Sequence, residues 1–268
     1  MKWSNFYREM TDRNIGVISL EEQEKLRRSC VAVAGCGGMG GFSAAQLVRL
    51  GVGRIKIADF DSFKTHNLSR QCASTTANVG RHKAQVLGDY FREINPELRL
   101  EVLPEGVQLE NAEKFVDGAE VVIDGIDYTC PYNSIVLHRA ARKRNLCILV
   151  PNAIGFGTNV VVFGPKTVSF EEYIGISPGA SREEIENFTI PAEKFSPHVP
   201  TYADPEVVRK VAFGEINIPN IVMPQYLGTS IAISEAVMMF LGRVKPPEGP
   251  EPRMFIVDLQ DRKFEIRG

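Results

Sequence analysis

Three glycines, Gly35, Gly37 and Gly40, follow a short apolar strand that begins at Cys30 and lead into a predicted helix over residues 38–50. Their spacing is that of a dinucleotide-binding turn. The first glycine allows the tight turn, the second lets a phosphate approach the backbone, and the third lets the helix pack on the strand. Free N–H groups at the helix start would then bind an anion. The alternative is a strand-to-helix turn without a ligand.

Carboxylates and cations after this turn extend the pattern. Asp59 and Asp61 end a second predicted strand. An acid about 20 residues after the glycines is where such sheets bind a ribose hydroxyl. Arg70 follows, and then Lys83 at the start of another helix. A nicotinamide enzyme needs little beyond the glycines and the acid, so the added cations favour a triphosphate over a dinucleotide.

A further acid, Asp127, follows the apolar residues 121–123 of a predicted buried strand. Ligands bind at the carboxyl ends of such strands, and Mg²⁺ prefers one or two carboxylates together with phosphate oxygens and water. Asp127 is therefore a candidate Mg²⁺ ligand. The alternative is that Asp127 or Asp124 caps the helix that starts near Pro131, and for Asp124 we favour that role.

The elements that must position these residues alternate between strand and helix over residues 30–151. Strands are predicted near 30–35, 54–59, 98–103, 120–124 and 146–151, and helices near 38–50, 78–94, 108–117 and 131–145. Regular alternation of this kind predicts an α/β fold, a Rossmann-like and mostly parallel sheet with helices on both faces.

The flanking segments complete the predicted organisation. An irregular arm over 6–16 precedes a helix that Ser19 and Glu22 open as a capping box. After a strand near 157–164 come a long crossover loop, a helix from about Tyr226, and C-terminal strands in a hairpin turning near Gln260. We expect an N-terminal arm and helix (1–29), a nucleotide-binding core (30–164) and a final part (165–268) in the same domain as the core.

The composition is that of an ordinary globular protein, with 268 residues, 44% of them hydrophobic and 24% charged. A formal net charge of −2 provides no electrostatic footprint for nucleic acid or an anionic membrane, so neither is an expected partner. The N-terminus lacks a signal-peptide pattern, which predicts a cytoplasmic protein. Five scattered cysteines form no Cys-x-x-Cys pair, so we expect no zinc.

Taken together, the sequence resembles the superfamily of ThiF, MoeB and the ubiquitin-activating enzymes. Members use ATP to adenylylate a carboxylate, typically the C-terminal glycine of a ubiquitin-like protein. The residues that carry the resemblance are Arg13 in the N-terminal arm, Gly35, Gly37, Gly38 and Gly40, Asp59 and Asp61, Asn67, Arg70 and Gln71, Lys83, and Asp127 after an apolar strand.

The resemblance implies a role for each position. Asp59 would bind the ribose hydroxyls, with Asp61 and Gln71 also at the nucleotide and Gly38 lying against it. Asn67, Arg70 and Lys83 would bind the phosphates, and Asp127 the Mg²⁺. Arg13 would reach into the site of a partner subunit, which implies a homodimer. The groups expected to act in catalysis are Arg13, Arg70, Lys83 and Asp127. The partner would be a ubiquitin-like or sulfur-carrier protein, or a peptide.

The chain departs from this family at identifiable positions. Tyr128 stands where members usually have Asn, and Tyr132 where they have Arg. No cysteine follows Cys147, so the late loop cannot carry a thioester and we expect the reaction to stop at the acyl-adenylate. Two alternatives stay open: an NAD(P)-dependent oxidoreductase with the same glycine turn, and a non-catalytic partner subunit of the same fold.

Overall fold

A computed structural model of the chain describes residues 3–195, 197–213 and 215–268, and these residues form one sheet of eight strands. The strands are β1 (Cys30–Ala34), β2 (Arg54–Ala58), β3 (Arg99–Leu103), β4 (Val121–Asp124), β5 (Cys147–Ile154), β6 (Gly157–Phe163), β7 (Arg253–Asp258) and β8 (Lys263–Arg267). Their order is β3-β2-β1-β4-β5-β6-β7-β8. The first five are parallel, and β6, β7 and β8 add antiparallel. All five residues of β1 are buried, as expected of a strand covered on both faces.

Helices cover both faces of the sheet. They are α1 (Asn5–Thr11), α2 (Leu20–Arg28), α3 (Gly38–Arg49), α4 (Lys83–Ile94), α5 (Ala112–Val116), α6 (Pro131–Lys143), α7 (Phe170–Ile174), α8 (Arg182–Glu186), α9 (Ala192–Phe195), α10 (Pro205–Ala212) and α11 (Val222–Phe240). Apolar residues of α3, α4 and α11 pack on one face, and those of α5 and α6 pack on the other. The predicted fold class is confirmed, including the long crossover and the C-terminal strands.

The N-terminal arm was predicted to be irregular, which is wrong, because its first part is the helix α1. The Ser4 hydroxyl caps this helix by accepting the N–H of Tyr7 at 2.9 Å. The buried Tyr7 hydroxyl donates to the carbonyl of Gly51 at 2.7 Å. Seven residues make a marginal helix alone, so this contact with the sheet domain supplies stability that local sequence could not reveal. The capping box of Ser19 and Glu22 is present, as predicted.

Three predicted helix boundaries were wrong. The helix predicted over 78–94 begins at Lys83, because Gly80 has φ +85°, a left-handed conformation that a right-handed helix cannot contain. The helix predicted over 108–117 is confined to Ala112–Val116. The late helix begins at Val222 rather than Tyr226, and it accommodates Pro224 in its first turn, where a missing N–H costs little.

The strand order places a crevice beside β1. The chain pairs β1 with β2 on one side and with β4 on the other, and ligands of open α/β sheets bind where the order reverses in this way. At this point the turns after β1 and β4 touch: a Cβ on Gly35 would lie 2.2 Å from the carbonyl oxygen of Gly125. The sheet therefore brings the glycine turn and the Asp127 turn together.

Within the ranges described, no helix combines the length and the apolar character that a membrane crossing requires.

The division into residues 1–29, 30–164 and 165–268 within one domain stays a prediction.

Candidate functional site

A cavity of about 530 Å³ opens at the carboxyl ends of β1, β2 and β4. It is lined by most of the residues that the sequence nominated: Gly35, Gly37, Gly38, Asp59, Asp61, Arg70, Gln71, Lys83 and Asp127. Three nominated residues, Arg13, Gly40 and Asn67, are not among those that line it. Cations, carboxylates and the start of α3 thus meet at this cavity, although they come from separate parts of the chain.

The glycine turn presents the start of α3 to this cavity. Gly37 is the N-cap residue, and no side chain in the described ranges caps the helix there. The first N–H groups are therefore available to an anion, which the helix dipole also favours. Gly40 has a different part: a Cβ at this position would lie 1.9 Å from the carbonyl oxygen of Gly35. Its absence of a side chain lets the helix pack on the turn, as the sequence predicted for the third glycine.

Asp59 joins the glycine turn to the end of β2. Its Oδ2 accepts the N–H of Cys36 at 2.6 Å, and its Oδ1 accepts the N–H of Asp61 at 2.7 Å. Both oxygens are thus already used to order backbone around the cavity. A ribose hydroxyl would have to share them, which a carboxylate permits because each oxygen has two lone pairs.

Lys83 and Asp61 form the ion pair of the site. Lys83 Nζ lies 2.7 Å from Asp61 Oδ2, and Lys64 Nζ lies 3.9 Å from Asp61 Oδ1. Burial acts to raise the pKa of Asp61, but the hydrogen bond and charge of Lys83, together with the N–H of Ser62 and the charge of Lys64, hold the pKa below its usual value. The Asp61 side chain is therefore a carboxylate at neutral pH. Lys64 also lines the cavity, and the sequence analysis had not nominated it.

Asn67 organises the segment that carries Arg70. The buried Asn67 side chain accepts the N–H of Lys64 at 2.8 Å through Oδ1, and its carbonyl accepts the N–H groups of Arg70 and Gln71 at 3.1 and 2.9 Å. Asn67 thus shapes this turn, and the contact with the phosphates that the resemblance implies for it stays a prediction. Gln71 Oε1 is buried at the cavity without a hydrogen-bond partner among the described residues, so a ligand donor could satisfy it.

Asp127 and Asp124 have different surroundings. Asp127 is exposed in the turn after β4, and its Oδ1 accepts the N–H and the hydroxyl of Thr129 at 3.0 and 2.8 Å. The predicted capping role of Asp124 was wrong. Cys130 is the N-cap residue of α6, whereas buried Asp124 lies 3.1 Å from Nε2 of His138 and accepts the N–H of Ile126. The Asp124 carboxylate is thus engaged by His138 in the interior of α6 and not by the N–H groups at the start of that helix.

Arg13 lies apart from the cavity. It is exposed in the short 3-10 turn Asp12–Asn14 that follows α1. Its expected reach into the site of a partner subunit stays a prediction.

Sequence reasoning missed the amide side chains that β5, α11 and the long connection between β6 and α11 (residues 164–221) bring to the cavity, namely Asn152, Asn217, Asn220 and Gln225. The Gln225 amide donates to Asn220 Oδ1 at 2.7 Å. Its Oε1 lies 2.2 Å from where a Cβ on Gly38 would be, so α11 closes over the glycine turn. The clustering of three amides over residues 217–225 was a usable signal, but no local pattern indicated that this segment returns to the turn.

The two tyrosine departures also contact the long connection. The Tyr128 hydroxyl accepts the N–H of Ile218 at 3.4 Å, and burial raises its pKa. Arg182 lies over the ring of Tyr132, 4.8 Å from its centroid. Tyr128 and Tyr132 therefore contact the long connection beside the turn that carries Asp127.

Comparison with known proteins places this chain in a family. The ThiF family model matches residues 11–265. The chain is 33% identical over 148 residues to the sulfur carrier protein ThiS adenylyltransferase of Escherichia coli K12, covering 55% of the chain and 58% of that protein. It is 36% identical over 138 residues to the tRNA threonylcarbamoyladenosine dehydratase of Bacillus subtilis 168, covering 51% and 54%. The match thus spans little more than half of these two relatives.

Solved structures share the fold over nearly the whole chain. The crystal structure of PaaA superposes with a TM-score of 0.71 at 20% identity, covering 99% of this chain and 74% of that one. The Escherichia coli MccB structure with succinimide gives a TM-score of 0.72 at 16% identity, covering 99% and 73%. At these identities the likeness concerns the fold, and it agrees with the match over residues 11–265: the chain belongs to the ThiF family.

Proposed function

We propose that this protein is an ATP-dependent adenylyltransferase that activates a carboxylate as an acyl-adenylate and releases pyrophosphate. The observation that carries the proposal is the meeting of Arg70, Lys83 and Asp127 in one cavity with the uncapped start of α3. Cations and free N–H groups suit a polyphosphate, and the acids suit a ribose and a metal. Relatives named as adenylyltransferases support the same activity.

In the proposed reaction, a carboxylate oxygen of the acceptor attacks the α-phosphorus of ATP. The new bond is O–Pα, the bond from Pα to the bridging oxygen breaks, and pyrophosphate leaves with the electron pair. Two anions must approach each other, so positioned cations offset the repulsion and stabilise the charge on the leaving group. Arg70 and Lys83 supply this charge, and no proton transfer to a protein base is needed.

Asp127 is the residue we propose for Mg²⁺. Its carboxylate lines the cavity, and both of its hydrogen bonds to Thr129 involve Oδ1, which leaves Oδ2 for a cation. A single protein carboxylate with phosphate oxygens and water is a usual Mg²⁺ environment, so the donor set fits. Bound there, the ion would neutralise phosphate charge during attack. Asp127 itself would hold the ion at the cavity that Arg70 and Lys83 also line.

The proposed acceptor is the C-terminus of a ubiquitin-like or sulfur-carrier protein, or of a peptide. Support comes from the ThiS adenylyltransferase relative and from MccB structures solved with MccA. A tRNA substrate, suggested by the dehydratase relative, is disfavoured by a net charge of −2, since nucleic-acid binding depends on basic surface. We further propose a homodimer, through Arg13, acting in the cytoplasm.

Adenylation is the step at which we expect this chain to stop. All five cysteines lie at or before Cys147, and none of them is on the long connection. Cys36, which lies within the glycine turn, is buried, and burial raises its pKa well above the usual value, so it is a poor nucleophile. A thioester with the acceptor trapped on any of the five cysteines would contradict this part of the proposal.

The decisive experiment is ATP–pyrophosphate exchange with purified protein, Mg²⁺ and a panel of acceptors: a sulfur-carrier protein ending in glycine, short peptides and a tRNA. We expect exchange with one polypeptide acceptor and a loss of about 100-fold in the Arg70→Ala variant, as for removal of other charge-stabilising groups. Absence of both exchange and ATP binding would overturn the proposal. Thermal stabilisation by NAD(P) instead of ATP would favour the oxidoreductase, and ATP binding without AMP formation a non-catalytic subunit.

A further inference from the structure

Three side chains of metal-binding type meet outside the nucleotide cavity. They are His198 from the long connection, Asp258 at the end of β7, and Asp261 in the turn before β8. His198 Nε2 lies 3.0 Å from Asp261 Oδ2 and 4.0 Å from Asp258 Oδ2, and one donor atom of each residue lies within 4.8 Å of the others. Atoms this close could be bridged by one ion after small side-chain movements.

The charge of this cluster is not balanced by protein cations. Asp258 is 1% exposed, and in the described part of the chain neither Asp258 nor Asp261 has an Arg or Lys within ion-pair distance. Within those residues, the one basic group beside the two carboxylates is the imidazole of His198. Buried charge requires a partner, and a divalent cation would neutralise the pair completely.

Hydrogen bonds around the cluster hold the carboxylates in place. The Tyr202 hydroxyl donates to Asp258 Oδ2 at 3.0 Å, and the N–H groups of Gln260 and Asp261 donate to Asp258 Oδ1 at 2.9 Å each. Thr201 donates its N–H to Asp261 Oδ2 at 2.8 Å. Outer contacts of this kind orient the ligands of protein metal sites.

A separate observation points to a missing ligand at the same place. Asn159 on β6 is 1% exposed, and neither Oδ1 nor Nδ2 of its carboxamide has a hydrogen-bond partner among the residues that the structure describes. Asn159 is paired with Ile256, two residues before Asp258, so Asn159 and Asp258 share a face of the sheet. With His198 and Asp258 it lines a cavity of about 10 Å³, enough for roughly one small sphere.

We propose that His198, Asp258 and Asp261 bind one divalent transition-metal ion, with the Asn159 carboxamide directed at the ion or at water bound to it. An imidazole nitrogen with two carboxylates suits Zn²⁺ or Mn²⁺. Mg²⁺ prefers oxygen ligands alone and fits less well. The expectation of no zinc rested on cysteine pairs, whereas this site uses none and joins His198 to two acids that follow it by 60 and 63 positions.

The bound ion would link the long connection to the sheet, because His198 lies on this connection and Asp258 lies at the end of β7. His198, Thr201 and Tyr202 lie on this connection, and Tyr202 also accepts the N–H of Phe156 in the turn between β5 and β6. Ile154 lines both this small cavity and the nucleotide cavity, so the ion would lie behind a wall of the latter. The ion would therefore hold the long connection in place without contacting ATP. The proposal does not depend on the adenylation activity.

The test uses the full chain, stripped with a chelator and then titrated with Zn²⁺ or Mn²⁺ alone. We expect about one equivalent retained after desalting, measured by elemental mass spectrometry and calorimetry, and a rise in melting temperature. His198→Gln and Asp261→Asn should each weaken binding at least about tenfold, as loss of a metal ligand requires. Visible absorption of bound Co²⁺ should disappear in the same variants.

Two controls make the result decisive. Asp204→Asn changes an acid on the same connection that only caps α10, and Asp127→Asn changes the nucleotide cavity; both should retain the ion. Asp258 is the most buried ligand, so if its variant fails to fold, the variants at His198 and Asp261 still decide. No uptake of either metal, or uptake unchanged in the double variant H198Q/D261N, would overturn the proposal.

Discussion

Lys83 Nζ lies 2.7 Å from Asp61 Oδ2 where α4 begins beside the end of β2. The Lys83 side chain is only 8% exposed, while that of Asp61 is 38% exposed. The ammonium group therefore has a fixed position at the cavity, held by a carboxylate that still reaches solvent. Because a half-exposed ion pair contributes little to folding, we propose that the pair serves mainly to hold the ammonium group for an anion.

The first prediction concerns the Lys83 ammonium. Lys83→Ala should lower ATP–pyrophosphate exchange about 100-fold, because one charge that stabilises the leaving group is lost. The free energy of unfolding should fall by only about 1 kcal/mol, measured by urea denaturation, since solvent screens the pair. Lys143→Ala, at an exposed lysine of α6 paired with Glu113, is the matched control and should keep full exchange. A Lys83 variant with normal exchange would remove Lys83 from the mechanism.

The second prediction concerns pH. The pKa of Asp61 is lowered in the folded protein: burial opposes the shift, and Lys83, the N–H of Ser62 and Lys64 together more than offset it. Its contribution to stability is therefore present above the unfolded value of about 3.9 and is lost as pH falls through the lower folded value. The gap in unfolding free energy between wild type and Asp61→Asn should thus be constant near pH 6 and shrink below about pH 4. A gap that keeps its pH 6 size at every acidic pH at which the protein still folds would contradict the assignment.

The third prediction concerns Gly40, which lets α3 pack on the glycine turn and does not line the cavity. Gly40→Ala would place a Cβ 1.9 Å from the Gly35 carbonyl oxygen, a backbone atom that cannot rotate away. We expect a loss of about 3 kcal/mol in unfolding free energy, as for other overpacked positions. Gly249→Ala is the control, because a Cβ there meets nothing within 4 Å. Equal stability of both variants would show that α3 does not need this close approach.

The fourth prediction uses Cys130 to report on the cavity. Cys130 is the one partly exposed cysteine, the other four being buried, and it lines the cavity. Burial raises its pKa, partly opposed by a hydrogen bond with Thr129, so iodoacetamide should label it faster at pH 9 than at pH 7. Saturating ATP with Mg²⁺ should slow this labelling, measured by mass spectrometry of the Cys130 peptide. Labelling that ATP leaves unchanged would place the nucleotide elsewhere.

Much of the fold could be predicted because its signals are local. The glycine spacing, the apolar strands and the capping box of Ser19 and Glu22 each depend on a few neighbouring residues. The predictions were wrong where a contact between residues far apart in the sequence decided the local structure. Tyr7 stabilises α1 by reaching Gly51, and buried Asp124 pairs with His138 instead of capping α6. No local pattern contains either partner.

The sequence by itself determined the α/β class, the turn at Gly35 and Gly37, and the order in which Asp59, Lys83 and Asp127 follow it. Only the tertiary structure decided that Gln225 closes on Gly38, that Asn67 shapes a turn, and that His198 meets Asp258 and Asp261. The physical reason is that periodicity and turn chemistry act over a few residues. Contacts made by a long connection instead depend on how its whole length packs against the finished sheet.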